Sequence, residues 1–229
     1  MKAVILFDKG GYRGLSALNE VEVEAEAVRE ELVKSGLRGD HIAVIDGCTD
    51  DHAEDTFLFR LREMRENLGI IHFAGHVVNG DMQLKRSAVE RSEITEFFAR
   101  HKLPRTFIFI NGCESGTIPS VWEKEKNLAT AWLDAGAGGM IGARLPIEDS
   151  RATTFATAFY KKLLSKQYAH DSIGTVLRDT RSELMKKPDA TWLQYTLYGY
   201  PFAYFHAQLP SVPLAEAEPS DRLRKLMKT

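Results

Sequence analysis

The sequence predicts an α/β fold: a mostly parallel sheet with helices on both faces. Three observations predict it. Five strand-length apolar runs are rich in β-branched or aromatic residues, the segments between them carry helical periodicity, and the runs lack polar–apolar alternation. Strands covered on both faces read as continuous apolar stretches, whereas a half-solvated sheet would alternate.

Taken in order, the runs are AVILF (3–7), IAVI (42–45), GIIHF (69–73), TFIFI (106–110) and GMIGA (139–143). Between the first two, Leu18, Val21, Ala25, Val28 and Leu32 recur at helical spacing, and Gly36 is placed to end that helix. Ala53, Phe57, Leu61, Met64 and Leu68 form a second stripe, opened by the capping-type residues Thr49, Asp50 and Asp51. Ile94, Phe97 and Phe98 mark a third helix, and Leu128, Trp132 and Ala135 a fourth. Phe155, Phe159 and Leu163 mark a fifth, and Ile173, Leu177, Thr180 and Leu184 a sixth. VVNGDMQL, from residue 77, reads as a small hairpin about an Asn-Gly turn. Residues 195–205 carry a late strand that Pro201 confines to an edge or breaks. One domain over residues 1–206 is expected. Residues 207–229, proline-rich and then charged, are expected to be a poorly packed tail.

Bulk properties exclude several function classes. Thirty basic residues against 32 acidic ones give a formal charge of −2, so nothing suggests nucleic acid or an anionic membrane as partner. Apolar runs fall far short of the ~20 residues that span a bilayer. MKAVILFDKGG carries Asp8 too early for a secretory leader and reads as a first strand. Two cysteines make no disulfide framework, and a reducing cytoplasm is the expected compartment.

Candidate chemistry lies at the strand ends, because open α/β sheets bind ligands beyond the carboxyl ends of their strands. The third run leads into HFAGH and delivers His76; the fourth leads into NGC and delivers Cys113. Neighbouring strands lie about 4.8 Å apart, so an imidazole and a thiol in adjacent exit loops can cooperate. The thiolate attacks, and the imidazole stabilises it and later protonates the leaving amine. Gly75, Gly112 and Gly116 permit close approach of a substrate backbone. Backbone N–H groups at Val77, Gly112 and Cys113 are candidate oxyanion donors. An isolated cysteine ending an apolar strand is more often core than nucleophile; it is the pairing with His76 that evens the balance. His72 reads as packed within its strand and Cys48 as a core or loop thiol.

Other cysteine chemistries fit worse. A cysteine-dependent phosphatase needs arginine six residues after the thiol, where Pro119 stands, and a nucleophile elbow needs glycines at Asn111 and Ser115. Two cysteines build no Cys-x-x-Cys zinc site, and no metal or cofactor is expected. DKGGYRG matches no dinucleotide or P-loop fingerprint.

The blocks IIHFAGH, TFIFINGCESG, AWLDAGAGGMIGARLPIEDSRATTFATAFYKKL and WLQYTLYGYP together resemble the CHAT family of caspase-like cysteine peptidases, relatives of caspases and separases. The resemblance runs from about residue 15 to residue 202. It implies a caspase-like three-layer sandwich, with His76 as catalytic histidine and Cys113 as nucleophile. It further implies metal-free hydrolysis of a peptide or protein substrate, service in bacterial defence or programmed death, and restraint by an activating or inhibitory protein partner. Three departures stand out. Val77 replaces the glycine that usually follows the histidine, Leu145 stands where many relatives have tryptophan, and the usual attached sensor domain is not among these residues. These departures keep a second reading open: a silent scaffold serving as an interaction module. For substrate choice, Asp149 matches a carboxylate position of relatives that cleave after basic residues, although it equally suits the N-cap of the fifth helix. Arg13 would instead pair with an acidic P1 residue, and Asn111 is a further substrate-facing candidate. The balance favours Asp149 and a basic P1.

Overall fold

The computed structural model describes residues 1–99, 103, 105–112, 127–186 and 189–205. In chain order the elements are β1 (Lys2–Phe7), α1 (Val21–Lys34), β2 (Ile42–Asp46), α2 (Ala53–Met64) and β3 (Leu68–Ala74). Three short strands follow, β4 (Val77–Val78), β5 (Asp81–Gln83) and β6 (Ala88–Val89), and then α3 (Arg91–Ala99). The chain continues through β7 (Phe107–Asn111), α4 (Leu128–Asp134), β8 (Gly139–Ala143), α5 (Asp149–Leu163), α6 (Ile173–Leu184) and β9 (Tyr195–Gly199). The tail expected over residues 207–229 lies outside the described residues.

The main sheet has the order β2-β1-β3-β7-β8-β9. The first five of these strands run parallel, and β9 closes the edge antiparallel to β8. Strand periodicity divides the core in two. Val4, Leu6, Ile71, Phe73, Ile108 and Ile110 face α2, α3 and α4, packing against Phe57, Leu61, Phe98 and Trp132. Ala3, Ile5, Phe7, Ile70, Phe107 and Phe109 face α1, α5 and α6, packing against Val28, Leu32, Phe155, Phe159 and Val176. A helix layer on each side makes the three-layer α/β sandwich, and it explains why β1 is apolar without alternation.

All six helices fall where the apolar stripes put them, and the deviations are local. Leu18 precedes α1, which starts at Val21. The α1 terminus follows the expected pattern: Gly36 adopts φ 97°, its N–H donates to Val33 O, and the Leu37 N–H reaches back to Leu32 O. Leu68 continues the α2 stripe in sequence but opens β3, because a 3-10 turn over Arg65–Asn67 ends the helix first. The α2 cap is His52, held by the Asp50 carboxylate accepting its N–H at 2.9 Å. The expected hairpin is a three-stranded antiparallel sheet, β4-β5-β6, turning at Asn79 (φ 53°) and Gly80 (φ 82°). Strand β9 stops at Gly199, before Pro201.

One carboxyl pair on the α2/α3 side reads as a pH-dependent element. Burial, together with the adjacent Glu93 carboxyl on α3, pushes Glu54 on α2 up to about 7. The native state therefore holds a proton there that the unfolded chain, with a carboxyl near 4.5, releases. Stability from this group is greatest near pH 4.5 and is lost as pH rises through about 7. Thermal unfolding from pH 4.5 to 8 is expected to show Glu54→Gln gaining on the parent as pH rises. An offset that stays constant with pH would show that Glu54 holds no extra proton.

Candidate active site

The register of the central strands sets the geometry of the carboxyl edge. β1 and β3 pair Phe7 with Ala74, and β3 and β7 pair Ala74 with Asn111. The ladder extends one residue further, as the Gly75 N–H donates to Asn111 O at 3.1 Å. His76 follows directly, and its carbonyl accepts from the Gln83 N–H at 2.9 Å, tying it to the small sheet. Gly112 has to be glycine at this junction: a Cβ there would lie 2.6 Å from Val77 Cγ2 and 2.8 Å from Gly75 O. Val77 itself is buried.

His76 is half-buried, and its Nε2 lies 2.8 Å from the Ser16 carbonyl oxygen. A carbonyl only accepts, so Nε2 carries the proton and Nδ1 is the ring atom left to exchange one. Ser16 belongs to the loop after β1, which Asp8 organises. Asp8 is 1% exposed; one carboxylate oxygen accepts from the Gly10 N–H at 2.8 Å and from the Tyr12 hydroxyl, and the other accepts from the Lys85 N–H at 3.0 Å. Burial and that carboxylate push the Tyr12 phenol well up, so it stays a donor. The loop folds back through Gly11 N–H to Ser16 O, 3.1 Å, and Gly10 lies so close to the imidazole that a Cβ there would be 2.8 Å from its Cδ2 and Nε2.

Between these loops lies a small cleft of about 30 Å³, whose lining includes Gly75, His76, Asn111, Gly112, Glu24 and Asp149. Among the described residues, its lining contains two carboxylates and no lysine or arginine. Asp149 is the first residue of α5, whose N-cap is Glu148. Instead of capping its own helix, it accepts the Glu20 N–H at 2.8 Å, and Glu20 is the N-cap of α1. Asn111 lines the cleft, but its amide is engaged at both ends: Nδ2 lies 2.7 Å from each oxygen of Glu24, and Oδ1 accepts from the Tyr195 hydroxyl at 2.7 Å.

The structure brings His76, Val77, Gly112, Asn111 and Asp149 to one edge. It does not bring Arg13 into the cleft: that residue sits at φ 50° with its guanidinium donating to Arg86 O at 2.9 Å. Cys113 lies outside the described residues, bonded to Gly112. Cys48 is a half-buried thiol accepting from the Lys9 N–H at 3.2 Å, and burial pushes it up, away from thiolate chemistry. No cluster of three or more metal-ligating side chains occurs among the described residues. No helix among them is long and apolar enough to cross a membrane.

Sequence reasoning missed Glu24. It is 1% exposed, with His72 Nε2 3.0 Å from its Oε1 as an unaligned ionic contact and the Thr153 hydroxyl 3.3 Å from its Oε2. The signal was its place on the α1 stripe, three after Val21 and four before Val28, a buried position holding an acid.

The model of the CHAT domain matches residues 9–211. The chain belongs to the CHAT family. No curated protein is significantly similar to it in sequence. Its fold is shared by the Arg specific cysteine proteinase gingipain R of Porphyromonas gingivalis (TM-score 0.68, 13% identity, covering 92% of this chain and 48% of that one). It is shared also by separase in the Saccharomyces cerevisiae separase–securin complex (0.61, 14%, 89% and 12%). Caspase-1 from Spodoptera frugiperda matches at 0.60 and 14% identity, covering 90% and 92%. The CHAT chain thus spans about half of gingipain R, about an eighth of separase and about nine-tenths of the caspase. Its fold is that of caspase-like cysteine peptidases.

The packing of Gly10 under His76 can be tested against Gly14, which shares a positive φ but would place a Cβ in open space. Both alanine variants bear the left-handed backbone cost of about 1–2 kcal/mol. Only Gly10→Ala adds contacts at 2.4 Å to Ser16 O and 2.8 Å to the His76 ring. We expect Gly10→Ala to lower Tm more and to shift the His76 ring signals in NMR. Equal losses with unmoved His76 signals would show that the ring does not depend on Gly10.

Proposed function

We propose that the chain is a cysteine endopeptidase in which Cys113 is the nucleophile and His76 the general acid–base. The observation that carries this reading is a register. Ala74 and Asn111 are paired, and His76 and Cys113 are each the second residue beyond their member of that pair. Adjacent parallel strands about 4.8 Å apart lead two such residues to one crevice.

In the reaction, the Cys113 thiol cedes its proton to His76 Nδ1, and the thiolate attacks the carbonyl carbon of the scissile bond. Backbone N–H groups at Val77, Gly112 and Cys113 are the donors for the resulting oxyanion. As the C–N bond breaks, Nδ1 returns its proton to the leaving amine and leaves a thioester. Water, deprotonated by His76, then hydrolyses the thioester and regenerates the thiol. The Ser16 carbonyl supports each step by holding the Nε2 proton, which fixes the ring orientation and eases imidazolium formation.

We assign the cleft carboxylate Asp149 to a basic P1 side chain. Among the described residues the lining is acidic, without lysine or arginine, which favours a cation there, and gingipain R, which shares the fold, is described as Arg specific. Arg13, engaged with Arg86 O, is the weaker candidate for an acidic P1. In keeping with the CHAT resemblance, we assign it a role in bacterial defence or programmed death on a protein target under the control of a protein partner, and its two cysteines suit the cytoplasm; separase, which shares the fold, has been seen in complex with securin.

Cys113→Ala is expected to abolish cleavage and iodoacetamide labelling at that position with Tm preserved, and His76→Ala to lower kcat by about 10²–10⁴-fold. Undiminished turnover by purified Cys113→Ala would remove the assignment. An inert Cys113 thiol at mildly acidic pH would favour the silent-scaffold reading, which rests on Val77 in place of glycine. In a P1 library, Arg and Lys are expected to dominate, and Asp149→Asn to raise KM for them by about tenfold or more, one lost ion pair being worth about 1.4 kcal/mol or more. A flat profile, or one indifferent to Asp149→Asn, would refute the specificity assignment.

A further inference from the structure

Beneath the cleft lies a buried polar network that the proposed chemistry does not use. Glu24, His72, Asn111, Thr153, Tyr160 and Tyr195 are all 9% exposed or less. Asn111 is its hub: Nδ2 is 2.7 Å from both Glu24 oxygens and Oδ1 takes the Tyr195 hydroxyl at 2.7 Å. Thr153 on α5 donates to Glu24 at 3.3 Å, while His72 stands 3.0 Å from Glu24 and 3.3 Å from the Tyr160 hydroxyl. Burying a carboxylate costs several kcal/mol even when it is hydrogen-bonded, and an apolar cluster of equal volume would often be more stable. A network of this kind at a site edge therefore points to a geometric role.

Its location identifies that role. Asn111 is the last residue of β7, and among the described residues the β7–β8 register runs only to Ile110↔Gly142. The Asn111 backbone is still paired to β3 through Ala74 and Gly75, and its side chain adds a hold from the other elements. α1 grips it through Glu24, and β9 grips it through Tyr195. The next residue is Gly112, seated against Val77 and Gly75 O, and the one after is Cys113.

Building on the peptidase reading, we propose that Glu24 and Tyr195 are positioning residues: they clamp Asn111 and thereby fix the exit loop that presents the Cys113 thiol to His76. Neither is hydrogen-bonded to the His76 ring, whose Nε2 lies against the Ser16 carbonyl. A misplacement of about 1 Å at a reacting centre costs on the order of 10²-fold in rate, so a clamp two residues from the nucleophile has leverage on kcat and little on KM.

The test is a polarity swap in the full chain. Asn111→Asp alone sets two carboxylates in contact; combined with Glu24→Gln it rebuilds a donor–acceptor pair of reversed polarity, still able to accept the Tyr195 hydroxyl. For each variant, kcat, KM, Tm and the pH profile of iodoacetamide alkylation at Cys113 are measured, mass spectrometry separating that site from Cys48. We expect Asn111→Asp to lower kcat and Cys113 alkylation, per folded molecule, by about 10²-fold with KM within about threefold, and Glu24→Gln to restore most of both. Tyr195→Phe, which removes one hydroxyl from an otherwise preserved ring, is expected to lower kcat by about tenfold, one lost hydrogen bond of about 1–1.5 kcal/mol. The proposal is overturned if Asn111→Asp changes Tm alone with kcat and alkylation within twofold of the parent, or if the paired change restores neither. Should the swapped chains not fold, Tyr195→Phe decides by the same readouts. Cleavage surviving Cys113→Ala would instead sink the peptidase reading, while the alkylation profile would still report whether the clamp sets this loop.

Discussion

The parallel register between β3 and β7 is the constraint on which the rest of the edge depends. A parallel ladder fixes not only which strands are neighbours but where both end. Here Ala74 and Asn111 terminate together, and the Gly75 N–H to Asn111 O bond carries the pairing into the exit loops. A slip of β7 by one residue would turn Phe107, Phe109 and Asn111 to the α2/α3 face and Ile108 and Ile110 to the other. The register is therefore specified by packing: Ile70 and Phe109 belong to one core, Ile71 and Ile108 to the other. What happens at the carboxyl edge inherits its precision from two hydrophobic layers far larger than the site.

Two buried acids convert that register into loop geometry. Asp8 shapes the loop after β1 through two backbone N–H groups and a phenol, and that loop carries the Ser16 carbonyl to the His76 ring. Glu24 does the corresponding work from α1, holding the end of β7 through Asn111. Each carboxylate accepts from several donors, the condition under which a polar group can be buried. The imidazole and the end of β7 are thus braced by separate acids on separate elements.

The strands and helices were legible because their signal is repeated: every buried position of β1 or α5 votes for the same period. Single-residue features carry no such redundancy. Glu24 resembles its exposed neighbours Glu22 and Glu26 in type and differs only in lying on the apolar stripe. Asp149 stands where an N-cap is expected, yet it binds the N–H of Glu20, 129 positions away in sequence, and nothing local encodes such a contact. Arg13 was placed correctly in the first exit loop, but its direction was set by a left-handed backbone and the Arg86 carbonyl. The short strands β4 and β6 contain two residues each, too few for any period to declare itself. His76, Gly112 and the strand end at Asn111 were readable because glycine flanks and a terminating apolar run mark them together.

The two cleft carboxylates are not equivalent, and the difference bears on how a substrate would be read. Glu24 is closed off: both oxygens are engaged by Asn111, one by Thr153 as well and the other near His72, inside a site almost without solvent. A cation reaching it would have to displace donors already at 2.7 Å and be desolvated itself. Asp149 is half-buried and spends one oxygen on the Glu20 N–H, which leaves acceptor capacity toward the cleft. Under the proposed specificity, a guanidinium or ammonium group entering beside His76 would meet Asp149 before Glu24. The two acids therefore brace different elements: Asp149 holds the start of α1 through the Glu20 N–H, and Glu24 holds the end of β7 through Asn111.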